Sequence, residues 1–80
     1  MLTVYSRPNC KYCDMAKNHL STRNVQFNVI DVDENPDAMQ MLRDAGHRSL
    51  PQIYKNGELF VVGGYEGLKA LANEELFDGK

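Results

Sequence analysis

The stretch Leu2-Thr3-Val4-Tyr5-Ser6-Arg7-Pro8-Asn9-Cys10-Lys11-Tyr12-Cys13-Asp14-Met15-Ala16 decides how this chain folds. Leu2 to Tyr5 is a short β-prone run, and Ser6-Arg7-Pro8-Asn9 stops it, so a first strand passes into a loop. Cys10 closes that loop. From Lys11 to about Arg23, Cys13, Ala16 and Leu20 form one apolar stripe at helical spacing, with Lys17 and Asn18 off it, which predicts a helix. The two cysteines therefore stand where a strand ends and a helix begins.

Outward from this unit, Val25 to Val32 alternates apolar Val25, Phe27 and Val29 with Gln26 and Asn28 and stays apolar through Ile30, a second strand. Asn35-Pro36-Asp37 reads as a helix start: Asn caps free amides, Pro suits the first turn and Asp complements the dipole. That helix carries Ala38, Met41, Leu42 and Ala45, and Gly46 ends it. Gln52–Lys55 and Glu58–Val62 flank Asn56-Gly57, a strong two-residue hairpin signal, and form antiparallel strands three and four. Gly63-Gly64 then breaks the last strand, and Leu68, Leu71, Ala72 and Leu76 recur on one face of a final helix. The order β-α-β-α-β-β-α makes the first two strands parallel through a right-handed crossover and predicts an α/β fold, a four-stranded mixed sheet with three helices.

Composition sets the outer limits. Eighty residues allow one domain, 1–80, and a chain this short buries only about 60–65% of its unfolded surface. Hydrophobic residues at 42% and charged residues at 25% fit a globular protein and fit disorder poorly. A net charge of −2 argues against nucleic acid as a partner. No apolar run approaches the ~18 residues of a membrane span, and the start lacks a signal-peptide apolar stretch, so a cytoplasmic location and no membrane partner are expected. A monomer is expected.

Cys10 and Cys13 are the only cysteines, too few for a framework of structural disulfides. At a helix start, unpaired amides and the dipole favour an anion, so the Cys10 thiol is expected to lose its proton readily and attack. Cys13, one turn further in, is expected to be more buried and to resolve the mixed disulfide. Two other readings weigh against this: C-x-x-C is half of many zinc sites, and cysteines also serve as plain core residues. A closed zinc site needs two more ligands, and His19 and His47 stand in no second paired motif, so no metal is expected.

Charge follows the same division. From Arg7 to Arg23 four basic residues (Arg7, Lys11, Lys17, Arg23) face one acid, Asp14, a local charge of +3, while the remainder carries −5. A positive reactive end favours an anionic thiol substrate such as glutathione; Lys17 and Arg23 equally suit a solvated helix face. Ser49-Leu50-Pro51 precedes the third strand, where Pro either starts the strand in trans or, in cis, turns the Leu50 backbone outward to pair with a peptide-like substrate. Gly63-Gly64-Tyr65-Glu66 either holds a carboxylate on its amides or is a plain turn that needs glycine. Tyr12 either packs over the cysteine pair or caps the core edge, and Met15, Met39 and Met41 are core or rim residues.

Taken together, Cys10-Lys11-Tyr12-Cys13, Ser49-Leu50-Pro51 and Gly63-Gly64-Tyr65-Glu66, in this order, resemble a glutaredoxin of the thioredoxin superfamily, and the likeness covers nearly the whole chain. The resemblance implies a thioredoxin fold with Pro51 cis, and Cys10 as the nucleophile that forms a mixed disulfide with glutathione. It implies glutathione contacts at Arg7 (the glycine carboxylate), Lys11, Tyr12, Leu50 and Pro51 (the cysteinyl backbone), and Gly64, Tyr65 and Glu66 (the γ-glutamyl end). Lys11 replaces the family's usual proline, Glu66 replaces its usual Asp or Ser, and Ala38 stands where relatives carry a polar contact, leaving Arg43 or Arg48 to substitute. The absence of tryptophan argues against a thioredoxin proper.

The function implied is a glutathione-dependent thiol-disulfide oxidoreductase acting on protein disulfides and glutathione mixed disulfides, with glutathione as co-substrate and no tightly bound cofactor. The alternatives are an electron donor to ribonucleotide reductase fed by a thioredoxin reductase, and a [2Fe-2S] carrier in which two chains share a cluster through Cys10 and bound glutathione.

Overall fold

The computed structural model describes residues 1–76; residues 77–80, the end of the expected 1–80 unit, lie outside the described residues. Its elements are β1 (Leu2–Ser6), α1 (Lys11–Thr22), β2 (Phe27–Asp31), α2 (Pro36–Asp44), β3 (Gln52–Lys55), β4 (Glu58–Leu59), α3 (Gly64–Lys69) and α4 (Asn73–Leu76). The sheet order is β2-β1-β3-β4. β1 and β2 run parallel with Val4 opposite Val29, and β3 is antiparallel to both β1 and β4. This is the four-stranded mixed sheet expected of a thioredoxin fold.

Local chemistry sets the boundaries. Helix α1 ends in a Schellman arrangement: the Asn24 amide donates to the Ser21 carbonyl and the Val25 amide to the Leu20 carbonyl, with Asn24 at φ 59°. Helix α2 ends the same way around Gly46 (φ 88°), with Gly46 N–H to Arg43 O and His47 N–H to Leu42 O. Asn35 precedes α2 as expected but does not cap it, because its Nδ2 instead donates to the Asp31 carbonyl at 2.8 Å. At the hairpin, Asn56 (φ 53°) and Gly57 (φ 88°) both take positive φ, as a type I′ turn requires.

Three expectations about length need correction. The second strand spans Phe27–Asp31 rather than Val25–Val32; Val25 is instead tied to the end of α1 and Val32 to the Ser6 carbonyl. The fourth strand is only Glu58–Leu59 and does not reach Val62. One further bond, Phe60 N–H to Ile53 O, follows before the chain leaves the sheet, with Val61 buried and Val62 84% exposed. Gly67 explains the departure: a Cβ there would collide with the Val62 carbonyl, so α3 packs directly on this backbone. The final helix is broken into α3 and α4, because the Glu75 carboxylate accepts from the Ala72 amide at 2.9 Å and starts a new helix.

Apolar burial divides between the faces of the sheet. One cluster joins Leu2, Val4 and Ile53 to Ala16, Leu20, Leu68 and Leu76. The other joins Val32, Leu42 and Tyr54, with Tyr5, Ala38, Met39, Met41 and Leu50 packed against it. Tyr54 is fixed by an edge-on contact with Tyr5 and by a 2.9 Å hydrogen bond between its hydroxyl and His47 Nε2. The helices on either side thus hold the β1–α1 loop and the segment before β3 at one end of the sheet.

Candidate functional site

At this end Cys10 and Cys13 are joined by a disulfide, with Cα atoms 5.2 Å apart. Cys10 is the N-cap of α1, and its Sγ accepts from the Cys13 amide at 3.2 Å. Cys10 is half-buried and Cys13 fully buried, so solvent and any large substrate reach Cys10 first. A helix of 12 residues directs its unpaired amides and positive dipole end at this sulfur, which stabilises a thiolate when the disulfide is open.

The Leu50–Pro51 peptide bond is cis. Leu50 precedes the paired part of β3, whose register with β1 ends at Gln52, so its backbone stands outside the sheet's own ladder. Gln52 fixes this segment: its buried side chain donates from Nε2 to the Ser49 carbonyl at 2.8 Å. The sequence carries no signal for that role, since Gln52 looks like any polar strand residue. Gly64 (φ 58°) packs against the same segment so closely that a Cβ would lie 2.7 Å from the Pro51 carbonyl oxygen. Here glycine is required by contact as well as by conformation.

Two clefts meet at Ser49 and Leu50. The narrower, about 240 Å³, brings together Tyr12, Pro51, Gly64, Tyr65 and Glu66, residues from three separate stretches of sequence. Tyr12 is 52% exposed and faces Tyr65, with ring centroids 6.3 Å apart; its ring belongs to the cleft wall. Tyr65 is backed by the ring of His19 at 6.2 Å and by Lys69 Nζ at 5.5 Å, and Lys69 also pairs with exposed Glu66 at 3.5 Å. His19 Nε2 is buried without a hydrogen-bond partner; burial, then the charge of Arg23, hold this imidazole below its usual pKa.

The wider cleft, about 570 Å³, lies on the other side of Leu50 and contains Cys10, Arg7, Arg43, His47 and Arg48 over Met39 and Leu42. Arg7 is committed there to an ion pair with Asp33, Nη2 to Oδ1 at 3.0 Å. Lys11 is exposed and lines neither cleft. Lys17 pairs with Asp14 at 3.4 Å, and Arg23 donates to the His19 carbonyl at 3.1 Å, so these two cations serve α1 itself. Of the residues that the resemblance assigns to glutathione, Lys11 alone lines neither cleft.

A disulfide at a helix start, in a cleft shared with the Ser49-Leu50 segment, on a thioredoxin fold defines a thiol-disulfide oxidoreductase. Residues 2–60 match the family model described as Glutaredoxin, and the chain belongs to that family. It is 41% identical over 80 residues to a glutaredoxin from Neisseria meningitidis serogroup A, covering 98% of this chain and 92% of that protein. It is 40% identical over 60 residues to the glutaredoxin-like protein NrdH of Lactococcus lactis subsp. cremoris, covering 75% and 83%. Among solved structures it resembles the glutaredoxin-like protein NrdH-redoxin from Escherichia coli, described as having a thioredoxin-like activity profile, with a TM-score of 0.74, 25% identity and coverage of 99% and 93%. It also resembles a buckwheat glutaredoxin in complex with glutathione, with a TM-score of 0.71, 28% identity and coverage of 99% and 70%.

Proposed function

We propose that this oxidoreductase draws its electrons from glutathione and reduces protein disulfides and glutathione mixed disulfides. The observation that carries this reading is the pair of clefts meeting at Leu50 beside Cys10, with arginines at one end and the amides of the Gly63-Gly64 turn at the other. Glutathione is an extended tripeptide with a carboxylate at each end and its thiol between, and it fits such a site. In this reading Arg7 faces the glycine carboxylate, Leu50 pairs with the cysteinyl backbone beside Pro51 and Tyr12, and Gly64, Tyr65 and Glu66 border the γ-glutamyl end. Lys11 contributes charge from outside the clefts.

Cys10, as thiolate, attacks one sulfur of a target disulfide, forming a mixed disulfide and releasing the other target sulfur as a thiolate. Cys13 then attacks Cys10 Sγ, releases the second target thiol and leaves the Cys10–Cys13 disulfide. One glutathione thiolate opens that disulfide at Cys10, and a second attacks the resulting mixed disulfide. Glutathione disulfide leaves, and Cys10 returns to a thiolate held by the Cys13 amide. Glutaredoxin potentials of about −200 to −230 mV suit exchange with a glutathione pool.

A second reading, a donor reduced by thioredoxin reductase, has its own support. Asp33 already occupies Arg7, and Glu66 places a carboxylate near the turn where another would bind. The test is turnover of a small glutathione mixed disulfide with either glutathione and glutathione reductase or thioredoxin reductase and NADPH as the electron supply. Turnover with the first supply is expected; turnover with the second alone would replace this reading by the other.

A further inference from the structure

The wider cleft exceeds the needs of one glycine carboxylate. A chain of net charge −2 places three arginines, Arg7, Arg43 and Arg48, around one cleft beside half-buried Cys10, and among the described residues no carboxylate residue lines it. Arg7 is neutralised by Asp33, but Arg43 and Arg48 form no ion pair among the described residues. Both are exposed; they flank the end of α2 and the approach to Leu50, while Leu42 and Met39 give the cleft an apolar floor. Two exposed cations over an apolar floor, next to an unpaired stretch of backbone, are suited to an extended peptide with negative charge.

We propose that Arg43 and Arg48 select protein substrates that carry an acidic side chain within a few residues of the disulfide cysteine. The substrate segment pairs with the Leu50 backbone, presents its sulfur to Cys10 and lays its acid between Arg43 and Arg48. This rests on Cys10 as the attacking thiol but not on the source of electrons. Selectivity arises in the approach and docking of the peptide, so it falls as salt screens the arginines.

The test uses the full chain, reduced beforehand and freed of reductant, against three peptides. Each carries its single cysteine as a mixed disulfide with 2-nitro-5-thiobenzoate and differs only in Glu, Gln or Lys two residues before it. Attack by Cys10 on the peptide sulfur releases the coloured thiolate, and Cys13 then frees the peptide thiol as the protein becomes oxidised. Second-order rates are divided by those with dithiothreitol, a neutral thiol, to remove differences in peptide reactivity. The Glu peptide is expected to react about tenfold faster than the Lys peptide at low salt, with Gln between. At 0.5 M salt, and in Arg43→Gln/Arg48→Gln, the ratio is expected to fall to within about twofold. Equal rates for the three peptides, or a ratio unchanged by the double substitution, would overturn the proposal. No reaction with any peptide would overturn the assignment of Cys10, and the proposal with it.

Discussion

Replacing Gly64 by Ala tests whether the glycine turn is built against the cis-proline segment or merely adjoins it. Two costs add. An L-residue in the left-handed region loses about 1–2 kcal/mol. The new Cβ would also sit 2.7 Å from the Pro51 carbonyl oxygen, a backbone atom unable to swing away, and overpacking of this kind costs about 1–3 kcal/mol. Gly46→Ala is the control: Gly46 has φ 88°, further from the left-handed optimum than Gly64 at 58°, yet nothing lies within 4 Å of its Cβ position. Any excess loss at Gly64 therefore reports the approach to Pro51. For a domain of this size 1 kcal/mol moves the melting midpoint by about 4–8 °C, so Gly64→Ala should melt roughly 5–20 °C below Gly46→Ala. Far-UV circular dichroism on heating measures both. Turnover should fall in Gly64→Ala because Gly64 and Pro51 wall the same cleft. A melting midpoint within about 2 °C of the Gly46→Ala protein would refute the argument from contact.

Other consequences follow from single interactions. Asp33→Asn frees Arg7 from an ion pair half exposed on both sides, worth about 0.2–1 kcal/mol. KM for a glutathione mixed disulfide should fall by up to about fivefold at low salt with kcat less affected, and steady-state kinetics showing an unchanged or higher KM would contradict this. His19 is held neutral in the fold, while the unfolded chain takes up a proton near the ordinary pKa of 6.5. Its contribution to stability is thus complete above that pH and declines as pH falls toward the lower folded value. Urea midpoints between pH 7.5 and 5.5 should drop more steeply for the wild type than for His19→Asn; parallel slopes would remove His19 from the account. Cys13→Ser should lose reduction of protein disulfides but keep removal of glutathione from a mixed disulfide, whereas Cys10→Ser should lose both; retained activity in Cys10→Ser would contradict the order of attack.

The legible parts of this fold are those written in short-range chemistry. Cys10 and Cys13 at a strand-to-helix junction, Asn56-Gly57 between two apolar runs, and Gly46 after an apolar stripe each carry their signal within a few residues, and each lies where that signal puts it. The spacing of Leu68, Leu71 and Leu76 predicts one continuous last helix because it stays helical across the break. Only the back-bond from Glu75 to Ala72 marks a new start, and Ala72 lacks the side-chain oxygen that announces a cap. Val62 belongs by composition to a strand but is turned into solvent by the packing of Gly67 on its carbonyl, a contact periodicity does not record.

The same boundary divides the site. The three motifs that carry the family likeness line two clefts that share Ser49 and Leu50. The pairing of Arg7 with Asp33 does not announce itself, because the partners are 26 residues apart and meet only when β1 and β2 run side by side. Gln52 positions Ser49 across the cis bond, and nothing local distinguishes it from any polar strand residue.

The most direct test of the central claim is to incubate Cys13→Ser with glutathione disulfide and locate the product by intact mass and peptide mapping. With the resolving thiol gone, one glutathione should be held on Cys10, and added glutathione should release it as glutathione disulfide. No adduct at Cys10, in protein whose thiol is shown to be free and reactive toward a small alkylating reagent, would contradict glutathione as the electron source.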